Sequence, residues 1–233
     1  MKEIKIIGID RIPEISENHN IAHEIIDATK KQKLAIEDGD ILVIAQKIIS
    51  KNEGKKVKLI KSNSFEELLK SESAEVLRKR GQTIISKTKH GFICANAGID
   101  NSNVEPGYAL LLPDDPDESA KKIRSVINSE LKKDVGIIIS DTFGRVWRKG
   151  QVNMAIGISG IDPLLNYIGT KDTFKNELKV TEIAIVDEIA SAAELVMGKA
   201  DNIPVALIKN YTYRSSEDTI KKLIRPPSED YFL

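Results

Sequence analysis

Apolar residues fall along this chain in short, strand-length clusters, separated by stretches whose apolar positions recur at helical spacing. Lys5–Ile9 reads as a strand. Arg11-Ile12-Pro13-Glu14-Ile15 behind it reads as a turn, because proline holds the residue before it out of the α region. Ile21, Ile25 and Ile26 predict a helix over roughly residues 18–33. Glu37-Asp38-Gly39-Asp40 is turn chemistry, and the unbroken apolar run Ile41–Ala45 has the pattern of a buried strand. Ser64 and Glu67 form a capping-box pair, with Phe65, Leu68, Leu69, Val76 and Leu77 on the apolar face of the helix that follows.

The stretch from Thr83 to Asn96 is β-rich, and Asp100 to Asp117 is polar around a short Ala-Leu-Leu-Leu segment. Ala120, Ile123, Val126, Ile127 and Leu131 mark an amphipathic helix, and Val135–Ser140 a strand that ends at Asp141. A second β-rich block covers Val152–Ile161 and Leu178–Val186. Glu188–Gly198 reads as a helix with Gly198 near its C-terminal end. Val205–Lys209 is a last strand and Asp218–Ile224 a last short helix. Strands and helices neither alternate as regular βαβ units nor segregate. The expected fold class is therefore α+β, one domain of two intimately packed subdomains.

Charge removes one class of function. Thirty-five Lys+Arg face thirty-five Asp+Glu, without the basic excess that nucleic-acid binders carry, although a local basic pocket for a nucleotide stays open. With 41% hydrophobic and 30% charged residues over 233 positions, the chain can bury a core and keep a solvated surface. One cysteine, Cys94, excludes a disulfide framework within the chain and reads as a small core residue. The longest apolar runs, such as Gly136-Ile137-Ile138-Ile139, are far short of a membrane span. Met1-Lys2-Glu3 leads straight into a β pattern with no signal segment, so a cytoplasmic protein is expected.

Standard sites are missing. Gly198-Lys199 is followed by Ala200, which lacks the hydroxyl a phosphate loop needs for magnesium. Gly157-Ile158-Ser159-Gly160 is no dinucleotide fingerprint and reads as a bend or close packing in a strand. His19 and His23 are expected to share a helix face, outside any metalloprotease frame. Two other segments interrupt strand-like runs with acids, amides and hydroxyls: Asn96–Asn103 and the expected loop Asp141–Gly150. Asp100 and Asp141, brought together with the Thr142 hydroxyl, would make an oxygen-rich site suited to Mg²⁺ or Mn²⁺. Arg145, Arg148 and Lys149 are close enough in sequence to Asp141 to neutralise phosphate oxygens there. Lys47 to Lys51, at the end of the Ile41–Ala45 strand, is a third basic cluster. The residues alone leave the plainer reading open, with both aspartates as turn or capping residues and the basic clusters as solvated surface.

Taken together, the segments 96–104, 141–150, 155–160, 186–198, 46–51 and 223–232 resemble the coenzyme F420:L-glutamate ligases, collinearly and over essentially the whole chain. The resemblance implies an α+β fold seen as an intertwined homodimer, with active sites near the subunit interface and no nitroreductase-like C-terminal domain. It implies a GTP- and divalent-metal-dependent enzyme that adds L-glutamate to the deazaflavin coenzyme F420-0, first through an amide and then through γ-links. Mg²⁺ or Mn²⁺ is the implied ion, with K⁺ as a further candidate. Carried over by position, Asp100, Asp141 and Thr142 are metal ligands and Asn103 a nucleotide contact. Pro13, Glu14, Ile15 and Ser16, with Gln46, Lys47 and Lys51, are further GTP positions. Met197, Gly198, Lys199, Ala200, Asp201, Asn202, Ile203 and Pro204 match a loop that closes over the nucleotide. Lys51, Arg145 and Arg148 are the expected phosphate partners of an acyl-phosphate mechanism. Two departures stand out. The stretch Tyr211–Asp218 lacks glycines expected in many relatives, and Lys199 stands where some members carry Glu or Gln that helps hold a second metal. An ammonium cannot ligate a cation, so Lys199 either replaces that ion's charge or leaves the ion to be held without it. Two alternatives to the implied activity are the same ligase chemistry on another carboxylate acceptor, and a GTP-binding protein without turnover.

Overall fold

The computed structural model describes residues 3–60 and 64–232. In chain order its elements are β1 (Lys5–Ile9), α1 (Ile21–Lys31), β2 (Ile41–Ala45), α2 (Gln46–Asn52), β3 (Lys56–Lys58), α3 (Ser64–Glu72), β4 (Ser73–Arg80), β5 (Thr83–Thr88) and β6 (Ile93–Ala95). There follow β7 (Tyr108–Leu110), α4 (Pro116–Leu131), β8 (Gly136–Arg145), β9 (Arg148–Ser159), β10 (Leu165–Asn166), β11 (Glu182–Ile183), α5 (Ile185–Met197) and β12 (Val205–Lys209). The class is α+β, as the sequence pattern predicts.

The main sheet has the order β1-β12-β2-β8-β9. Its neighbours pair antiparallel except β2 and β8, which run parallel with Ala45 opposite Ser140. Ile41 to Ile44, Ile137 to Ile139 and Val205 to Leu207 are all fully buried, whichever way alternate side chains point. Both faces of the central strands are therefore covered, which is why their sequences are unbroken apolar runs. One cover is α5, which packs on β1, β12, β2, β8 and β9; the other is α1 with α4, which pack on each other and on β1, β8 and β9. Among the described residues, no helix is long and apolar enough to cross a membrane.

Helix ends follow local chemistry. Asn20 caps α1 by accepting from the His23 backbone N–H, and Asp115 caps α4 by accepting from Glu118, with Pro116 in the first turn. Because Asn20 is the cap, His19 lies outside the helix and does not share a face with His23. It pairs with the Ser16 hydroxyl, while His23 contacts Glu130 on α4. Between α2 and α4 sits a smaller module: the β4-β5-β6 sheet, the β3-β7 pair, α3 and a 3-10 turn at Asn96–Gly98, around Leu69, Ile99 and Ala109.

Several expected boundaries move. Helix α3 ends at Glu72, and Val76 and Leu77 belong to β4, where pairing with β5 overrides their helical spacing. The Ser64 side chain of the expected capping box lies outside the described residues. Asp141–Gly150 is not a loop: β8 continues to Arg145, and β9 begins at Arg148, across a tight turn with Trp147 at φ 65°. Leu178–Val186 contributes only the short β11, and α5 starts at Ile185 rather than Glu188. The last expected helix is a 3-10 turn, Ile220–Leu223.

Gly157 shows why a strand carries a glycine here. A Cβ on it would stand 2.5 Å from the Pro116 backbone and side chain, so β9 can pass under the start of α4 only without one. Gly157→Ala is expected to cost about 1–3 kcal/mol through forced overpacking. Urea denaturation checks this, and an unshifted midpoint would contradict the packing assignment.

Candidate functional site

Three chain segments distant in sequence leave the main sheet at one end beside the continuing β8-β9 hairpin, and the strand register dictates that they meet. Ala45 lies opposite Ser140, so the start of α2 sits beside Asp141. Val205 lies opposite Ile44 and Ile9, so residues 198–204 and 10–16 arrive at the same edge; the Ala45 N–H donates to the Pro204 carbonyl at 2.8 Å. Asn153 lies opposite Thr142 across the β8-β9 pair. These segments line a cavity of about 560 Å³ that includes Pro13, Glu14, Ile15, Gln46, Lys47, Lys51, Asn103, Asp141, Thr142, Asn153, Glu194 and Lys199. Met197, Gly198, Asn202, Ile203 and Pro204 complete its wall.

Asp100 reaches this cavity through Lys47. The Lys47 ammonium donates to Asp100 Oδ2 and to Ser102 Oγ, each at 2.7 Å, and the Ser102 N–H donates to Asp100 Oδ1 at 2.7 Å. A backbone bridge to Leu110 fixes the Asp100 main chain. Burial opposes its ionisation, but the hydrogen bonds from Lys47 and Ser102 outweigh that and hold its carboxyl below the usual range. Asp141 has the opposite balance. Burial pushes its pKa up to about 6; the Thr142 backbone N–H opposes this, the Asp100 charge adds to it, and Lys47 and Lys199 offset it in part. The charge of Asp100 thus reaches Asp141 across the site. Hard oxygen donors (two carboxylates and the Thr142 hydroxyl) fit Mg²⁺ or Mn²⁺, and the poorly compensated charge on Asp141 is what such an ion would neutralise.

Beside them lies a second cluster. Thr142 Oγ1 donates to Asn153 Oδ1 at 2.8 Å, and Asn153 Nδ2 donates to Glu194 Oε2 at 2.7 Å. The Lys199 ammonium contacts Thr142 Oγ1 at 2.6 Å, Glu194 Oε1 at 2.8 Å and Asn153 Oδ1 at 3.3 Å. Asn103 Nδ2 donates to the Lys199 carbonyl at 3.3 Å, joining the 101–104 and 198–204 loops over the cavity. Lys51 pairs with Glu14, and Gln46 donates to the Leu111 carbonyl at 3.1 Å.

Not every expected residue arrives. Arg145 and Arg148 pair with each other at the far end of the β8-β9 hairpin; Arg145 is four residues beyond Asp141, about 13 Å along a strand. Arg145 donates to the Lys149 carbonyl at 2.6 Å and lines a different, apolar groove. The expected loop would have folded these arginines back towards Asp141, whereas the extended hairpin carries them away within this chain. Ser16 lines an adjoining cavity with Glu14, Lys51 and Asn103, and Ala200 and Asp201 lie in the loop without lining either. The sequence reading missed Asn153 and Glu194. Both carry a signal: Asn153 is a buried amide within an apolar strand, and Glu194 is a carboxylate in the last turn of α5, where the helix dipole disfavours it. Cys94 is a core thiol, pushed up to about 12 by burial and then by the charge of Asp141, so it is no nucleophile at neutral pH.

Residues 9–210 match the family model described as F420-0:Gamma-glutamyl ligase. The chain belongs to that family. Coenzyme F420:L-glutamate ligase of Methanocaldococcus jannaschii is 47% identical over 84% of this chain and 86% of its own. The enzyme of that name from Methanothermobacter thermautotrophicus is 39% identical over 98% of both chains, and that of Methanococcus maripaludis 39% identical over 99% of this chain and 97% of its own. The match to the F420-0:gamma-glutamyl ligase family model spans every segment that meets at the cavity.

Asp141 makes the site a stability liability. Below its ordinary value of 3.8 both folded and unfolded states are protonated and no penalty applies. As pH rises from there to about 6, the unfolded chain releases the proton while the folded one retains it, and stability falls. At about 1.4 kcal/mol per pH unit, the loss is on the order of 3 kcal/mol. Asp141→Asn is therefore expected to be more stable than the parent at pH 7 without divalent ions, with the gap closing towards pH 4. Parallel urea titrations measure it, and a less stable variant at pH 7 would refute the electrostatic account.

Proposed function

We propose that this chain is a GTP-dependent ligase that joins L-glutamate to the deazaflavin precursor coenzyme F420-0 by an amide and then extends a γ-linked tail. What carries this reading is the meeting of Asp141, Thr142 and three lysines in one cavity, with Asp100 paired to Lys47 at its edge, in a chain belonging to the ligase family. Amide formation from a carboxylate is uphill in water, so the carboxylate has to be activated. In the proposed sequence an acceptor carboxylate oxygen attacks the γ-phosphorus of GTP, the bond to the β–γ bridging oxygen breaks, and GDP leaves with that electron pair. The glutamate amine then attacks the acyl carbon, inorganic phosphate leaves, and the nitrogen gives up a proton.

Lys47, Lys51 and Lys199 face the cavity and supply fixed positive charge for phosphate oxygens, a positioning and electrostatic role. Asp100, Asp141 and Thr142 would hold Mg²⁺ or Mn²⁺, which supplies neutralisation of charge on the transferred phosphoryl group. Pro13 to Ile15 and Asn103 line the same cavity and serve as nucleotide contacts. Among the described residues no histidine lines the cavity, so imidazole is not the base for the amine. A homodimer belongs to the same proposal; the exposed Trp147 and Phe232, 6.4 Å apart between ring centres, support it as apolar surface that a second copy would cover. A cytoplasmic site of action follows from the intracellular cofactor chemistry assigned here.

Incubation with GTP, Mn²⁺, L-glutamate and coenzyme F420-0 is expected to give GDP, phosphate and a product heavier by one glutamyl unit in mass spectrometry. GDP without a mass shift would move the assignment to another acceptor, and GTP binding without GDP would make the chain a non-catalytic binder. Asp141→Asn is expected to keep the fold and lower GDP release by orders of magnitude. Near-normal turnover in that variant would contradict the role given to Asp141.

A further inference from the structure

The Lys199 ammonium rests in a cradle whose donors come from three elements: Thr142 Oγ1 on β8, Asn153 Oδ1 on β9 and Glu194 Oε1 on α5. An ammonium has three N–H donors and no lone pair, and the cradle presents one acceptor to each of them. The cradle is braced without the lysine. Thr142 donates to Asn153 at 2.8 Å, and the Asn153 amide is tied to the second Glu194 oxygen at 2.7 Å. Ser191 Oγ also donates to the Asn153 carbonyl at 2.7 Å, which locks the β9 backbone at that point. A carboxylate, an amide oxygen and a hydroxyl held this way form a donor set for a hard cation. Glu194 needs such a charge, because it stands in the last turn of α5 against the negative end of the helix.

Local backbone geometry delivers the lysine. Gly198 ends α5 with φ 58°, and a Cβ there would stand 2.2 Å from Asp201 Oδ2. The turn this permits brings the very next residue back over the helix end onto Glu194, five positions earlier.

We propose that Lys199 is a tethered cation: its ammonium permanently fills the Thr142–Asn153–Glu194 cation site, so the cavity takes one divalent ion fewer than its oxygen donors would hold. Charge supports this. Asp100, Asp141 and Glu194 carry three negative charges, and Lys47 and Lys199 return two of them before any ion or nucleotide enters. A single divalent ion beside Asp100 and Asp141 then gives the pocket a net positive charge for phosphate. The inference rests on the reading of the cavity as a phosphate and metal site, but its test is separable from that reading.

The experiment counts bound Mn²⁺ per chain by the loss of the free-ion EPR signal, with GDP present, for the parent and three variants. Lys199→Met is expected to bind about one more Mn²⁺ than the parent, and Lys199→Met with Glu194→Gln to lose that extra ion. Lys199→Arg is expected to keep the parent's count. An unchanged count in Lys199→Met, or an extra ion that survives Glu194→Gln, overturns the proposal. The increment decides the matter. A parent chain that binds no Mn²⁺ would defeat the metal reading of Asp100 and Asp141, while the gain of one ion in Lys199→Met would still uphold the tethered cation.

Discussion

The parallel pairing of β2 with β8 is the constraint on which the site depends. Among the described residues it is the one parallel contact in the main sheet, and it sets the carboxyl end of β2 beside Ser140, 95 positions further along the chain. Backbone hydrogen bonds hold this register, and close packing on both sheet faces leaves no room for a slip. Once Ala45 is opposite Ser140, the first turn of α2 and the Asp141-Thr142 pair have nowhere to be except adjacent. The antiparallel neighbours β12 and β1 bring two further loops to the same edge. Ligands commonly bind outside the carboxyl ends of parallel strands, and here β2 ends at the crevice while β8 runs on past it.

Burial on both sheet faces is what makes that edge rigid, and rigidity has an electrostatic cost. Asp141 continues a strand whose preceding residues are buried and is itself partly buried, so its carboxylate is poorly hydrated. The neighbouring lysines answer this unevenly: Lys47 pairs closely with Asp100, whereas Asp141 is left with a backbone N–H and more distant charges. A protein selected for stability alone would put a neutral residue at such a position. An acid placed there is a candidate functional group rather than a stabilising one.

Much of the fold was legible because the hydrophobic pattern and the turn chemistry agree. Ile41–Ala45 and Val205–Lys209 read as buried strands because only buried strands tolerate such runs at that length. The errors arose where short-range pattern competes with pairing. Val76 and Leu77 continue the spacing of α3, yet their partner β5 lies a few residues ahead and captures them. Phe143 and Gly144 interrupt an apolar run with glycine and charge beyond it, which looks like a loop until the complementary β9 is seen opposite. That misreading mattered, since it placed Arg145 and Arg148 near Asp141 when strand extension carries them away.

By itself the sequence determined the family, which rests on long collinear strings, and it marked candidate site residues by local composition. It determined the α+β class for the same reason: periodicity is a property of neighbours along the chain. Only the tertiary structure decided which of those residues share a cavity. That Lys47 reaches Asp100, that Asn153 and Glu194 cradle Lys199, and that two arginines stand apart all follow from register between strands. Register is set by contacts between residues far apart in the chain, and no spacing within a single segment encodes it.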